Sequence, residues 1–107
     1  MPCLQLRLAT VPSKDMLTAL SIEVCKLLNK PTDAMLLECQ SSKVTMGSHP
    51  GAICHLYSAA ITPQNKPDLS SCIGRHLMAF GIEKTNHYIF FHKMEASSIG
   101  HNLELKG

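Results

Sequence analysis

Apolar and polar positions alternate from residue 2 to residue 8, with Leu4, Leu6 and Leu8 on one side and Cys3, Gln5 and Arg7 on the other. That period of two predicts a half-buried strand. Pro2 can begin it, because a first strand position needs no ladder donor. Val11-Pro12-Ser13 breaks the run, and Ser13 is placed to cap a helix with Asp15 in its first turn. Leu17, Leu20, Val24, Leu27 and Leu28 then recur at helical spacing, until Asn29 and Pro31 stop the helix. Residues 33–42 read as a second strand, with Met35, Leu37 and Cys39 on one face and Leu36 and Glu38 on the other. Residues 46–51 (MGSHPG) are loop by composition. Residues 53–60 are apolar on both faces, as expected of a strand that is central or covered by a partner. A polar loop over 61–66 leads to a second helix opening at Pro67 or Asp68. Its stripe is Leu69, Ile73, Leu77 and Phe80, and Gly81 closes it. HYIFFHK at 87–93 is a fourth strand, rich in aromatic and branched residues. Residues 97–100 make a turn, and 102–105 a short last strand.

The order is β-α-β followed by β-α-β, with the second half echoing the first about fifty residues later. Each half is a right-handed crossover joining parallel strands. Together they predict an α+β, two-layer fold: a four-stranded mixed sheet with both helices on one face, in a single domain over residues 1–107. Nothing in the chain is left to cover the other sheet face, so a second subunit is expected there.

Composition changes this picture little. The chain has 107 residues, 45% hydrophobic and 17% charged, enough for a core and somewhat apolar for a small monomer. A net charge of +2 with no Lys/Arg run argues against a nucleic-acid partner. No apolar stretch is long enough to span a bilayer. The N-terminus carries no charged-then-apolar signal pattern, so a cytoplasmic protein is expected. Cys3, Cys25, Cys39, Cys54 and Cys72 are odd in number, widely spaced and without C-x-x-C, which speaks against a disulfide framework or a zinc site. Most are expected as buried thiols. His87 and His92 point to opposite faces of their strand, and no metal site is expected.

The chemistry centres on Met1-Pro2. An initiator Met before a small residue is normally removed, which would leave Pro2 with a free secondary amine. An ordinary α-amino group titrates at about 7.7–8.0. Burial or a neighbouring cation lowers that value toward neutrality. An amine poised there can take a proton from carbon.

Pro2, Val11-Pro12 before the first helix, Lys30-Pro31 after it, Gly47-Ser48 with Pro50, Ser58, Gln64-Asn65 and Ile99-Gly100 occur in register along nearly the whole chain. In these positions the sequence resembles the macrophage migration inhibitory factor and D-dopachrome tautomerase family of the tautomerase superfamily. The resemblance implies a homotrimer with sheets around a central channel, helices outside and active sites between subunits. It implies keto–enol tautomerisation of phenylpyruvate- or dopachrome-like substrates without a cofactor, with Pro2 as the general base. Lys30 matches the lysine that meets the substrate carboxylate, and its charge would also depress the pKa of the proline amine. Tyr88 matches a tyrosine contributed by the adjacent subunit. Met35, Ala59 and Ile99 fall where apolar residues line the pocket.

The departures are specific. Phe90 stands where relatives carry an asparagine, Ala59 replaces a larger aliphatic residue, His101 replaces an aromatic one, and Lys106 replaces an apolar tail residue. A tautomerase weaker than the typical member is therefore expected. The stretch between Pro2 and Val11 is one residue longer than usual, as a bulge would make it. Gly51 replaces the first cysteine of the C-x-x-C that some members carry, so a thiol–disulfide activity built on that motif should be absent. The competing function class is a non-catalytic, cytokine-like trimer that binds a cell-surface receptor and is secreted without a signal peptide.

Overall fold

The computed structural model describes residues 2–105. Met1, whose removal is expected, and Lys106 lie outside the described residues. Strand β1 (Cys3–Leu8) leads to helix α1 (Lys14–Leu27) and strand β2 (Leu36–Ser41). Short strands β3 (Thr45–Met46) and β4 (His49–Pro50) precede β5 (Ala52–Ser58), helix α2 (Lys66–Ala79) and β6 (His87–Lys93). A 3₁₀ turn at Ala96–Ser98 and the strands β7 (Gly100–His101) and β8 (Glu104–Leu105) follow. The main sheet runs β2-β1-β5-β6, with β1 parallel to β2, β5 parallel to β6 and the central β1–β5 pair antiparallel. The expected mixed sheet with two crossover helices is thus observed.

Helix ends explain how each half turns back. Ser13 Oγ accepts from the Met16 N–H at 3.2 Å and caps α1. At the other end Asn29 takes the left-handed conformation, φ 55°. Its N–H donates to the Lys26 carbonyl, and the Lys30 N–H donates to the Cys25 carbonyl at 2.9 Å. Those are the paired bonds of a Schellman stop. Helix α2 ends the same way: Gly81 has φ 95°, and the Ile82 N–H donates to the Leu77 carbonyl at 2.9 Å. The pseudo-repeat therefore extends to the capping geometry.

Leu4, Leu6 and Leu8 of β1, Cys54 and Leu56 of β5, Leu20 and Val24 of α1, and Leu69, Ile73 and Leu77 of α2 form one buried cluster. Among the described residues no helix covers the opposite sheet face. It carries Leu36, Tyr88 and Phe90 with 56%, 62% and 46% of their surface exposed, together with His55, Tyr57 and His92. Gln5, Arg7, Glu38 and Gln40 share that face on β1 and β2, and its exposed aromatic half on β5 and β6 fits the expectation that another subunit covers it.

Several expectations need correction. Residues 45–50 are not plain loop: β3 and β4 pair through a turn at Gly47, φ 62°. Ile61 does not belong to a polar loop, since it is completely buried. The register of β1 with both neighbours runs unbroken from Cys3 to Leu8, so no bulge interrupts it. The bend at residues 9–10 follows, tied down by the Ser41 hydroxyl donating to the Ala9 carbonyl at 2.7 Å. Helix α2 opens at Lys66, and the tail forms a two-strand hairpin, β7–β8, rather than one strand.

Candidate active site

Pro2 lies just before β1, with its ring fully buried. It shares the helix-facing side with Leu4, Leu6 and Leu8, and its carbonyl accepts from the Leu36 N–H at 2.9 Å. Beside that bond opens a cleft of about 500 Å³ lined by Lys30, Pro31, Asp33, Ala34, Met35, Leu36 and His101. The Schellman stop holds the Lys30 backbone at its rim. Met35 is half-buried against the core and supplies an apolar wall. His101, noted in the sequence only as a departure, reaches the same cleft from β7 and places a second basic side chain near Lys30.

Ala59 and Ile99 occupy the same end of the sheet by chain position. Ala59 follows β5, and its carbonyl accepts from Lys93 Nζ at 3.1 Å. The same ammonium donates to the Ile61 carbonyl at 2.8 Å. Ser58 and Lys93 are register partners, one row beyond the row that aligns Cys3 with Tyr57 and His92. Lys93 is therefore a cation at the same end of the sheet as Pro2, two strands away across β5. Its only signal in the sequence is an ionic residue closing an aromatic strand. Ile99 is half-buried after the 3₁₀ turn, where its N–H donates to the Ala96 carbonyl at 3.1 Å.

Tyr88 is not brought to this place. It aligns with Ile53, which aligns with Arg7, five residues along β1 from Pro2. At ~3.3 Å per residue that is roughly 16 Å. Tyr88 and Phe90 instead line a separate cleft of about 250 Å³ with Thr45, Met46, Ile53 and Asn86 among others. Phe90 stacks on His55 at 5.1 Å and on Tyr88 at 6.3 Å. One chain thus holds Pro2, Lys30 and Met35 at one end of its sheet and Tyr88 at the other.

The cysteines offer no activated nucleophile. All five are free. Burial raises the thiols of Cys3, Cys25 and Cys39 and pushes that of Cys54 up to about 12. Cys72 also rises to about 12, by burial first and then by its contact with the Glu23 carboxylate. A reactive thiol needs the opposite shift. Gly51 matters for the same motif: a Cβ there would meet the Asn86 carbonyl oxygen at 3.0 Å. Among the described residues one group of possible metal ligands gathers, Glu23 with Cys72 and His76. It shares no residue with the Lys30 cleft. Its signal was the spacing of Cys72 and His76, one helical turn apart on α2. Among the described residues, no helix is long and apolar enough to cross a membrane.

No family model and no curated protein matches this sequence, so the similarity lies in three-dimensional structure. A macrophage migration inhibitory factor homologue from Prochlorococcus marinus superposes with a TM-score of 0.86 at 21% identity, over 98% of this chain and 99% of its own. The macrophage migration inhibitory factor of Trichinella spiralis gives 0.84 at 25% identity, over 94% and 96%. A third structure, a protein designated Pt0534 inactivated by 2-oxo-3-pentynoate, gives 0.78 at 11% identity, over 97% and 94%.

Proposed function

We propose that this chain, by its fold one of the macrophage migration inhibitory factor family, is a tautomerase that moves a proton between carbon and oxygen of a 2-oxo acid. The observation that carries this reading is the juxtaposition at the start of β1. A buried Pro2 is bonded through its carbonyl to Leu36, in the wall of a cleft that also holds Lys30, His101 and Met35. Once Met1 is removed, the Pro2 nitrogen takes a proton from the carbon next to the substrate carbonyl, and the carbonyl oxygen takes one from water as the enol forms. Pro2 then releases its proton to solvent, replacing the one that water gave, so the net change is a proton moved from carbon to oxygen; the reverse direction runs the same steps backward. Lys30, with His101 beside it, holds the substrate carboxylate and stabilises negative charge as it develops. Met35, Ala59 and Ile99 provide apolar walls. Tyr88 completes the site from the neighbouring subunit of a homotrimer, whose contacts cover the sheet face opposite the helices. Phenylpyruvate-like aromatic keto acids fit the combination of cationic rim and apolar wall.

The inactivator of the structurally similar Pt0534 offers a direct test. The processed protein, treated with 2-oxo-3-pentynoate, should lose phenylpyruvate tautomerase activity and gain a covalent adduct on the N-terminal peptide at Pro2. Pro2→Gly should have less than ~1% of the starting activity, the usual scale for losing a general base. Full activity in Pro2→Gly, or labelling only elsewhere, overturns the assignment. A receptor-driven cell response that survives intact in Pro2→Gly would assign that role to the trimer surface instead of the cleft.

A further inference from the structure

We propose that Glu23, Cys72 and His76 form a binding site for a zinc-type divalent cation on the helical layer, bridging α1 and α2. Cys72 and His76 stand four residues apart on α2 and so share one face of it. Glu23 reaches them from α1. The Cys72 thiol donates to Glu23 Oε2 at 3.3 Å, and His76 Nε2 lies 3.1 Å from the same oxygen. All three ligand atoms fall within 4.8 Å of one another.

The two separations from the Glu23 oxygen are close to what one small cation demands. With metal–sulfur, metal–nitrogen and metal–oxygen bonds of about 2.3, 2.1 and 2.1 Å, tetrahedral ligands sit about 3.4–3.6 Å apart. The two contacts to Glu23 therefore need to open by only a few tenths of an ångström, while the sulfur and the imidazole nitrogen, within 4.8 Å of each other, have to settle at about 3.6 Å. A thiolate with an imidazole and a carboxylate is a zinc-like donor set, softer than the all-oxygen sites of magnesium or calcium. Cys72 is buried and His76 largely so, while Glu23 is half-exposed. The three ligands thus close the inner side and leave a fourth position toward solvent.

The exchange balances. A hydrated divalent cation takes the place of the thiol proton, which leaves to solvent. The Cys72 sulfur becomes a thiolate ligand, neutral His76 binds through Nε2, and Glu23 gives one carboxylate oxygen. The two negative ligands offset the cation's charge. Arg75 and Lys26 border the clefts on this surface. Their long side chains can turn outward, and their charge would favour an anion at the open position.

The test uses the full processed protein, reduced and stripped of metal, titrated with cobalt(II) and then zinc. Cobalt should saturate at one ion per chain with a thiolate charge-transfer band in the near ultraviolet, and zinc should displace it. Zinc should also raise the melting temperature. Cys72→Ser should lose the band. His76→Ala and Glu23→Gln, at more exposed positions that leave the core intact, should each weaken zinc binding by at least about tenfold, since even indirect partners of metal ligands are worth that much. Absence of saturable binding at one ion per chain overturns the proposal. So does a band that persists in Cys72→Ser, which would place the ion on another cysteine, or zinc affinity unmoved in both His76→Ala and Glu23→Gln.

Discussion

His55 Nδ1 and His92 Nε2 lie 2.8 Å apart on the sheet face that no helix covers. Tyr57 stacks on His92 at 4.3 Å and Phe90 on His55 at 5.1 Å, so the two imidazoles are held within an aromatic row. At that distance one nitrogen must accept, and both rings cannot be fully protonated without repulsion. The pKa of His55 is lowered, by loss of solvent first and then by the charges of His92 and Arg7. A lowered histidine pKa means the folded state resists protonation. Its contribution is therefore full above the ordinary value of 6.5 and is lost as pH falls below it. The melting temperature should fall between pH 7 and pH 5, and less steeply in His55→Gln. Parallel curves for the two proteins would show that the pair does not contribute. Glu23, whose carboxyl is lowered chiefly by its bond to His76, acts in a separate window below 4.5.

Gly51 is held by close approach rather than by backbone angle. A Cβ there would stand 3.0 Å from the Asn86 carbonyl and 3.3 Å from the Met46 nitrogen, both backbone atoms with little freedom to move. Gly51→Ala should destabilise by about 1–3 kcal/mol, the usual cost of an over-packed position. Gly51→Cys should do the same, and should fail to create thiol–disulfide activity, because Cys54 is buried with its thiol pushed up to about 12. Insulin reduction by Gly51→Cys above that of the parent chain would refute this.

Asn29 joins fold and site. Its left-handed backbone ends α1 and delivers Lys30 to the cleft. A residue with Cβ and no local polar group costs roughly 1–2 kcal/mol in that conformation. Asn29→Ala should lower stability by about that much and raise KM for a keto acid more than it lowers kcat. Asn29→Gly should be neutral or stabilising, with activity retained. Thermal melts and steady-state kinetics on the pair separate the two effects.

How much of this was legible follows from where each signal lives. Ser13, Asn29 and Gly81 act on the backbone within a few residues, so the helix limits could be read locally. The two apolar stripes and the alternation in β1 located the core for the same reason. The β3–β4 hairpin was missed because two paired residues have no period, and Pro50 in the run argues for loop. Buried Ile61 was missed because a lone apolar residue carries no pattern. Of the site, Pro2 stood out from the Met-Pro start and the chemistry of a freed secondary amine, whereas Lys30, Met35, Ala59, Ile99 and Tyr88 came from the resemblance. The resemblance set His101 at the pocket as a departure, but its grouping with Lys30 in one cleft and the bond from Lys93 to the Ala59 carbonyl depend on how distant segments meet, which no local pattern records. The Cys72–His76 spacing was present in the sequence, but Glu23, 49 residues from Cys72, gives it meaning.

Phe90 stacks between His55 and Tyr88 and fills the cleft beside the tyrosine. Replacing it by asparagine restores a polar group where a bound keto acid would meet the neighbouring chain. Phe90→Asn should raise kcat/KM for phenylpyruvate by several-fold, a hydrogen bond being worth about 0.5–1.5 kcal/mol. It should also lower stability modestly, because stacking is lost. Unchanged or reduced kcat/KM would show that Phe90 does not limit the site.

The roughly 16 Å that strand register puts between Pro2 and Tyr88 makes the sharpest prediction about assembly. A single chain cannot bring both to one substrate, whereas a cyclic assembly can, by pairing Pro2 of one subunit with Tyr88 of the next. Pro2→Gly and Tyr88→Ala should each be strongly impaired alone. Unfolded together in equal amounts and refolded, they should recover activity. With random mixing into trimers, about one site in four receives an intact Pro2 from one variant and an intact Tyr88 from the other. Mixing without unfolding should give no recovery until subunits exchange. Sedimentation of the same samples checks that trimers have formed. If refolded mixtures form trimers yet stay at the level of the two variants measured apart, Pro2 and Tyr88 do not share a site across subunits, and the trimeric active site is wrong.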